Sequence, residues 1–203
     1  KETRATIPTY LLSFIVGWDR ESVTVTQIDE NDSARDIWQR EKLYLQEAND
    51  NAIINAYRLA GEEITFNKEY YKVLYLDSLS ETNLEVGDII DYIGDVKINN
   101  YSDIEKTVAT YQVGDRIKLQ VRRDDKTVNC YAVLKEIDGA KIMGVSLIKL
   151  YDYEIKRDVD LKFSSREGGP SGGFMLSLAI YNRLIEKDLT NGKKIVGTGT
   201  IDS

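Results

Sequence analysis

Residues 84–94 read L-E-V-G-D-I-I-D-Y-I-G. Gly87-Asp88 is a turn signal, and the apolar run that follows it through Ile89, Ile90 and Ile93 marks a buried strand. Further out, Asp103 to Tyr111 places Ile104, Val108 and Ala109 on one side, as a short helix would. Arg116–Arg122 and Thr127–Val133 then alternate around Asp124-Asp125-Lys126, which predicts a β-hairpin. Upstream, Tyr71–Leu76 is a short apolar run rich in β-branched and aromatic residues, again strand-like. Residues 67–137 are therefore expected to form a β-rich unit with one helix.

The order of these pieces is a strand, Leu84-x-x-Gly87-Asp88-x-Ile90, Ile93-Gly94-Asp95, a helix near Ile104, and a hairpin. It resembles a PDZ domain of the bacterial type. The resemblance implies binding of an extended peptide beside an exposed strand, through backbone hydrogen bonds and a pocket for the terminal side chain. By analogy Tyr70, Tyr71, Lys72, Val73 and Leu74 form the binding edge, which continues to Leu76. The loop Glu69-Tyr70-Tyr71 would meet a peptide carboxylate. That loop lacks the family's usual glycines, so a spacer or gate stands beside peptide binding as the role of this unit.

Before this unit lies a long helical signal. Ser33 is a candidate N-cap, apolar residues recur at Ile37, Trp38, Leu45, Ala48, Ala52, Ile53, Ala56, Tyr57 and Ala60, and Gly61 stands where a C-terminal cap belongs. Trp38 and Tyr57 are expected in the core. Ser22–Thr26 alternates like a strand, and the apolar stretch Tyr10–Gly17 is too short to cross a membrane.

Composition narrows the chemistry. With 203 residues, 42% hydrophobic and 30% charged, the chain has the make-up of a globular protein of one large or two small domains. The net charge of -7 and the small basic cluster of Lys118, Arg122, Arg123 and Lys126 argue against nucleic acid as a partner. No histidine and one cysteine, Cys130, leave neither a zinc ligand set nor an internal disulfide. No metal and no cofactor are expected.

Residues 167–173 read E-G-G-P-S-G-G, after the strand-like Val159–Phe163 and before an apolar helix in which Phe174, Leu178, Tyr181 and Ile185 share a face. A strand, a glycine-rich turn, a serine and a buried helix can present the Ser171 hydroxyl at a helix N-terminus, where unpaired N–H groups favour an oxyanion. A serine before a helix is also an ordinary cap. Both readings stand on the local pattern, and the lack of histidine excludes a Ser–His pair for the first.

Gly169-Pro170-Ser171-Gly172-Gly173, followed by the apolar helix and Ile195-Val-Gly-Thr-Gly-Thr-Ile201, resembles the proteolytic domain of Lon proteases. Together with the PDZ-like unit and the long helix, the chain resembles the membrane-anchored PDZ–Lon proteases of Gram-positive bacteria. The resemblance implies a Ser–Lys dyad with Ser171 as nucleophile and a desolvated lysine as base. Gly169, Pro170, Gly172 and Thr198 would shape the site and its oxyanion pocket. The family's lysine lies farther along than Lys187, Lys193 or Lys194, so it is expected beyond Ser203.

The expected fold is α+β: residues 1–66 as a strand and long helix packing with the protease region, 67–137 as an inserted PDZ-like domain, and 138–203 as the front of an incomplete Lon-type proteolytic domain. The implied function is a cell-surface serine endopeptidase cutting secreted peptides, signalling peptides among them, or membrane-protein segments. It would act on the extracytoplasmic face, held by an anchor outside this chain. Its partner is a peptide or protein substrate, and an oligomer is open. The alternative is a non-catalytic peptide-binding fragment or adaptor.

Overall fold

The computed structural model describes residues 33–137, 139–161, 169–185 and 187–202. The expected strand at Ser22–Thr26 and the apolar run Tyr10–Gly17 lie outside them.

Helix α1 spans Ala34–Ala60 between the two caps expected. The Ser33 hydroxyl accepts from the Asp36 N–H at 3.1 Å, a cap that contributes about 1 kcal/mol. At the other end Gly61 turns left-handed, φ 71°, and its N–H closes on Arg58. Tyr57 is fully buried as expected, whereas Trp38 is 44% exposed. The Lys42 ammonium lies 4.6 Å from the Trp38 ring centre, so that indole faces solvent and not the core.

Strand β1 (Ile64–Leu76) leads into β2 (Ile89–Ile93), the short β3 (Val96–Lys97) and helix α2 (Tyr101–Ala109). The hairpin β4 (Arg116–Arg123) and β5 (Lys126–Val133) turns at Asp124 and Asp125, both at positive φ, as a two-residue turn matched to strand twist requires. A small hairpin, β6 (Lys135–Ile137) and β7 (Ala140–Ile142), precedes β8 (Val145–Ile155), and helix α3 (Gly173–Leu184) follows. Val159–Leu161 carries no strand, and the rest of that expected strand, with Glu167 and Gly168, falls outside the described residues.

The main sheet runs β5-β4-β2-β1-β8, with β3 alongside β2. β1 and β8 pair antiparallel from Ile64↔Ile155 to Leu76↔Val145, with two irregularities of register. One face buries Tyr71, Val73, Ile90, Ile93, Ile104, Ile117, Leu119 and Val121 in a single cluster. Each such aliphatic residue contributes roughly 1.5–3 kcal/mol. The other face meets α1 through Leu43, Val86 and Ile148. The far half of α1 packs on α3 through Ala52, Ile53, Ala56 and Tyr57 against Ile180 and Leu184.

Candidate functional site

The Gly87-Asp88 turn is fixed by charge. The Asp88 side chain is fully buried and takes a forked pair of bonds from Arg123, Nε to Oδ1 and Nη2 to Oδ2, each 2.7 Å. Asp88 Oδ2 also accepts the Glu85 N–H at 2.8 Å. Bonding to Asp88 holds the Arg123 guanidinium above its ordinary range. The turn thus orders the loop between β1 and β2.

The sheet order corrects the expected binding edge. Tyr70, Tyr71, Lys72 and Val73 each have a partner on β8, and Val73 also exchanges backbone bonds with Gly87 and Asp88, so this stretch lies inside the sheet. Tyr71 is 2% exposed and Val73 fully buried. The Leu74 carbonyl is occupied by Arg40 Nε of α1 at 3.2 Å. The carboxylate role of Glu69-Tyr70-Tyr71 fails with it: the Tyr71 hydroxyl bonds Glu69, and Tyr70 takes a bond from Gln46. Burial, then Glu69, pushes the Tyr71 hydroxyl well above its ordinary range.

The outer strand is β8, with no strand on its far side among the described residues. Val145 and Leu147 of β8 and Val108 of α2 are half-buried against the same core cluster. At the start of β8, Gly144 has φ 69°, and a Cβ there would lie 2.8 Å from the Ser80 Cβ. Lys141 Nζ bonds the carbonyls of Ala109 and Tyr111 at the C-terminal end of α2. At the other end of α2, the Tyr101 ring lies 5.9 Å from that of Tyr71. An edge strand, a glycine-bearing loop and a facing helix thus converge.

Between α1 and the sheet lies a polar junction. Lys72 Nζ bonds Gln46 at 3.1 Å, and the Tyr153 hydroxyl bonds Asp50 Oδ1 at 3.1 Å. Asp50 Oδ2 is buried without a hydrogen-bond partner. Burial pushes the Asp50 carboxyl up to about 6; Tyr153 and Lys72 pull it down, and Glu47 adds to the rise. Burial likewise lowers the Lys72 ammonium, against the pull of Asp50.

The opposite side of α1 holds the serine turn. The Gly169 N–H, with φ 81°, bonds the Glu41 carbonyl at 3.1 Å. Gly173 sits against Ala48 and Ile201, where a Cβ would approach to 3.5 and 3.2 Å. Asn51 Nδ2 donates to the Ile201 carbonyl at 3.2 Å, and Asn55 Nδ2 to that of Asp202 at 2.9 Å. Positions 41, 48, 51 and 55 share one helical stripe, so α1 carries both segments on one track.

Ser171 and Thr198 come together. The Ser171 carbonyl accepts the Gly199 N–H at 2.8 Å and the Thr198 hydroxyl at 3.0 Å. Gly199 returns a carbonyl to the Phe174 N–H at 3.0 Å. Gly197 lies against Met175, whose sulfur would be 2.8 Å from an added Cβ. Pro170 caps the turn by accepting the Gly173 N–H at 3.1 Å, and Gly172 holds the N-cap position of α3 with no side-chain cap. Ser171 is exposed. It stands just before α3, and among the described residues its carbonyl, not its hydroxyl, bonds the neighbouring segment.

Sequence reading missed Asp88–Arg123 as a unit, and it missed β8 as the outer strand. Among the described residues no group of three or more metal-ligating side chains converges, and no helix is long and apolar enough to cross a membrane.

The family profile of the PDZ domain matches residues 64–134. The chain therefore contains a PDZ domain, the class of module that binds peptides or proteins. The chain is also similar to the PDZ domain of the SdrC-like protein from Listeria monocytogenes. The two are 22% identical over 42% of this chain and 93% of that one, with a TM-score of 0.35. No curated protein matches.

Proposed function

We propose that the PDZ unit captures an extended peptide along the outer edge of β8, and that Ser171 is the nucleophile of a serine endopeptidase to which it delivers that peptide. The flank of β8 that no strand covers among the described residues carries the first part. An incoming strand would pair with it over the half-buried Val145 and Leu147, with Val108 of α2 opposite. The loop at Gly144 and the Lys141 ammonium stand where the peptide would end.

The second part rests on the contact between the two segments that resemble the Lon proteolytic domain. Thr198 and Gly199 pin the Ser171 carbonyl, leaving the hydroxyl free to turn toward a substrate. In this reading a neutral lysine removes the Ser171 proton as Oγ attacks the peptide carbonyl, and the proton passes on to the leaving amine. The base is not one of the described lysines near the turn: Lys187, Lys193 and Lys194 are exposed, whereas a lysine base needs desolvation. By the same resemblance the enzyme acts on secreted or membrane-protein segments at the extracytoplasmic face.

Two measurements test these parts separately. Amide NMR with a degenerate peptide pool should shift Val145–Asp152 first; shifts confined to β4 and β5 would place binding elsewhere. Peptide cleavage by a longer form of the protein that includes the expected lysine should vanish in Ser171→Ala. Equal cleavage by both would sink the nucleophile and leave a binding module.

A further inference from the structure

Gln46 and Asp50 stand one turn apart on the side of α1 that meets the sheet. Gln46 spans two groups of β1: its Oε1 takes the Lys72 ammonium at 3.1 Å, and its Nε2 donates to the Tyr70 hydroxyl at 3.1 Å. Asp50 accepts the Tyr153 hydroxyl of β8 on Oδ1, while Oδ2 is buried with no hydrogen-bond partner among the described residues. This arrangement suits a neutral carboxyl. A neutral acid that shares one oxygen with Tyr153 leaves a bare carbonyl oxygen, at modest cost. A bare oxygen on a buried carboxylate costs far more.

The remedy for the ionised form is close by. Lys72 and Asp50 attract each other across the half-buried junction. Side chains four apart on a helix are about 5–6 Å from one another, so a lysine held by Gln46 reaches Asp50 by turning its flexible stem. The other titratable groups around the pair are no substitute. On α1, Glu47 repels Asp50 and has Asp202 beside it, and Tyr57 acts on Tyr153 alone. On β1, Tyr70 is taken by Gln46. On β8, Tyr153 is spent on Oδ1, and Asp152 adds a like charge near Tyr70. On β4, Arg122 is held by Asp91 at 2.8 Å and repels Lys72.

We infer that Lys72 is a proton-operated latch between α1 and the PDZ unit: it rests on Gln46 while Asp50 is protonated and crosses to Asp50 Oδ2 when that proton leaves to solvent. The grip of β1 on α1 thereby moves by one helical turn, and Gln46 keeps Tyr70 alone. Burial above all pushes the Asp50 carboxyl up to about 6, so the crossing falls where an ordinary carboxylate is already ionised. Asn51, the next residue, holds Ile201, so the latch works on the turn of α1 that also carries the C-terminal segment. It uses neither the β8 groove nor the Ser171 hydroxyl, and so stands apart from both parts of the proposed function.

NMR of the 203-residue chain tests the latch. Between pH 5 and pH 7.5 the Lys72 Nζ and Gln46 side-chain amide signals should move together, with the midpoint of the Asp50 carboxyl carbon. In Asp50→Asn both should stay still. Gln46→Met removes the competing acceptor, so Lys72 rests on Asp50 throughout, and Asp50 should bind its proton about tenfold more weakly. Lys72 and Gln46 signals that ignore the Asp50 midpoint overturn the inference, and that measurement needs no substitution. An Asp50 midpoint unchanged in Gln46→Met, with circular dichroism showing the variant folded, also overturns it: the lysine would then not be choosing between the two.

Discussion

Arg123 holds Asp88 in a fork, with both carboxylate oxygens bonded at 2.7 Å and the aspartate side chain fully buried. Removing Arg123 leaves the Asp88 carboxylate without its match in a place water does not reach. Arg123→Met should therefore cost about 3 kcal/mol of unfolding free energy, read from urea denaturation. In a double-mutant cycle, Asp88→Asn with Arg123→Met should cost less than the two single changes added together. Strict additivity would mean that the fork is incidental.

Asp50 predicts a pH dependence of known sign. Its folded value of about 6 lies above its ordinary 3.8, so the folded state binds the proton more tightly than the unfolded chain does. The ionised carboxylate therefore costs stability above pH 6. That cost is relieved as pH falls through 6 toward 4. The urea midpoint gained by the parent between pH 7.5 and pH 5 should shrink in Asp50→Asn, which cannot titrate. An identical gain in both proteins would assign the effect to another group.

Gly144 combines a left-handed backbone with no room for a side chain. Gly144→Ala should lose about 1–2 kcal/mol from the backbone conformation alone, with more from contact with Ser80, whose Cα lies 3.1 Å from an added Cβ. Because β8 starts one residue later, hydrogen exchange should rise at Val145–Ile148 more than at β4. Uniform loosening of the sheet would show that the glycine serves no local purpose.

Asn51 is 8% exposed and ties α1 to Ile201. Asn51→Ala should destabilise by about 1 kcal/mol and speed amide exchange at Gly199, whose N–H meets Ser171. The α1–sheet amides near Lys72 should be unmoved. Loss of protection on both sides of α1 would mean that the helix itself had frayed.

Local signals in the sequence were strong wherever structure is closed by near neighbours. Ser33 and Gly61 bound α1 as read, the Asp124-Asp125 turn is a hairpin, and Leu84 through Ile93 enters the core. The pairing of Ser171 with Thr198 was legible only as two motifs, not as a contact. What stayed hidden was set by distant partners. Nothing within Tyr70–Leu76 reveals that β8 lies beside it, so an apolar strand that is central was read as an edge. The same pairing carries the sheet past residue 137, the expected end of the unit, to Ile155. Trp38 went outward because the sheet and α3 together leave part of α1 uncovered, and helical spacing alone cannot say which part.

The β1–β8 ladder also sets a timetable. A ribosome finishes Leu76 about seventy residues before it makes Val145, its partner, a delay of several seconds at roughly 5–20 residues per second. Throughout that interval one flank of β1 is bare while β2, β4 and β5 are already being made. The nascent chain is then most open to wrong strand exchange, and chaperone capture should peak at lengths between these two strands.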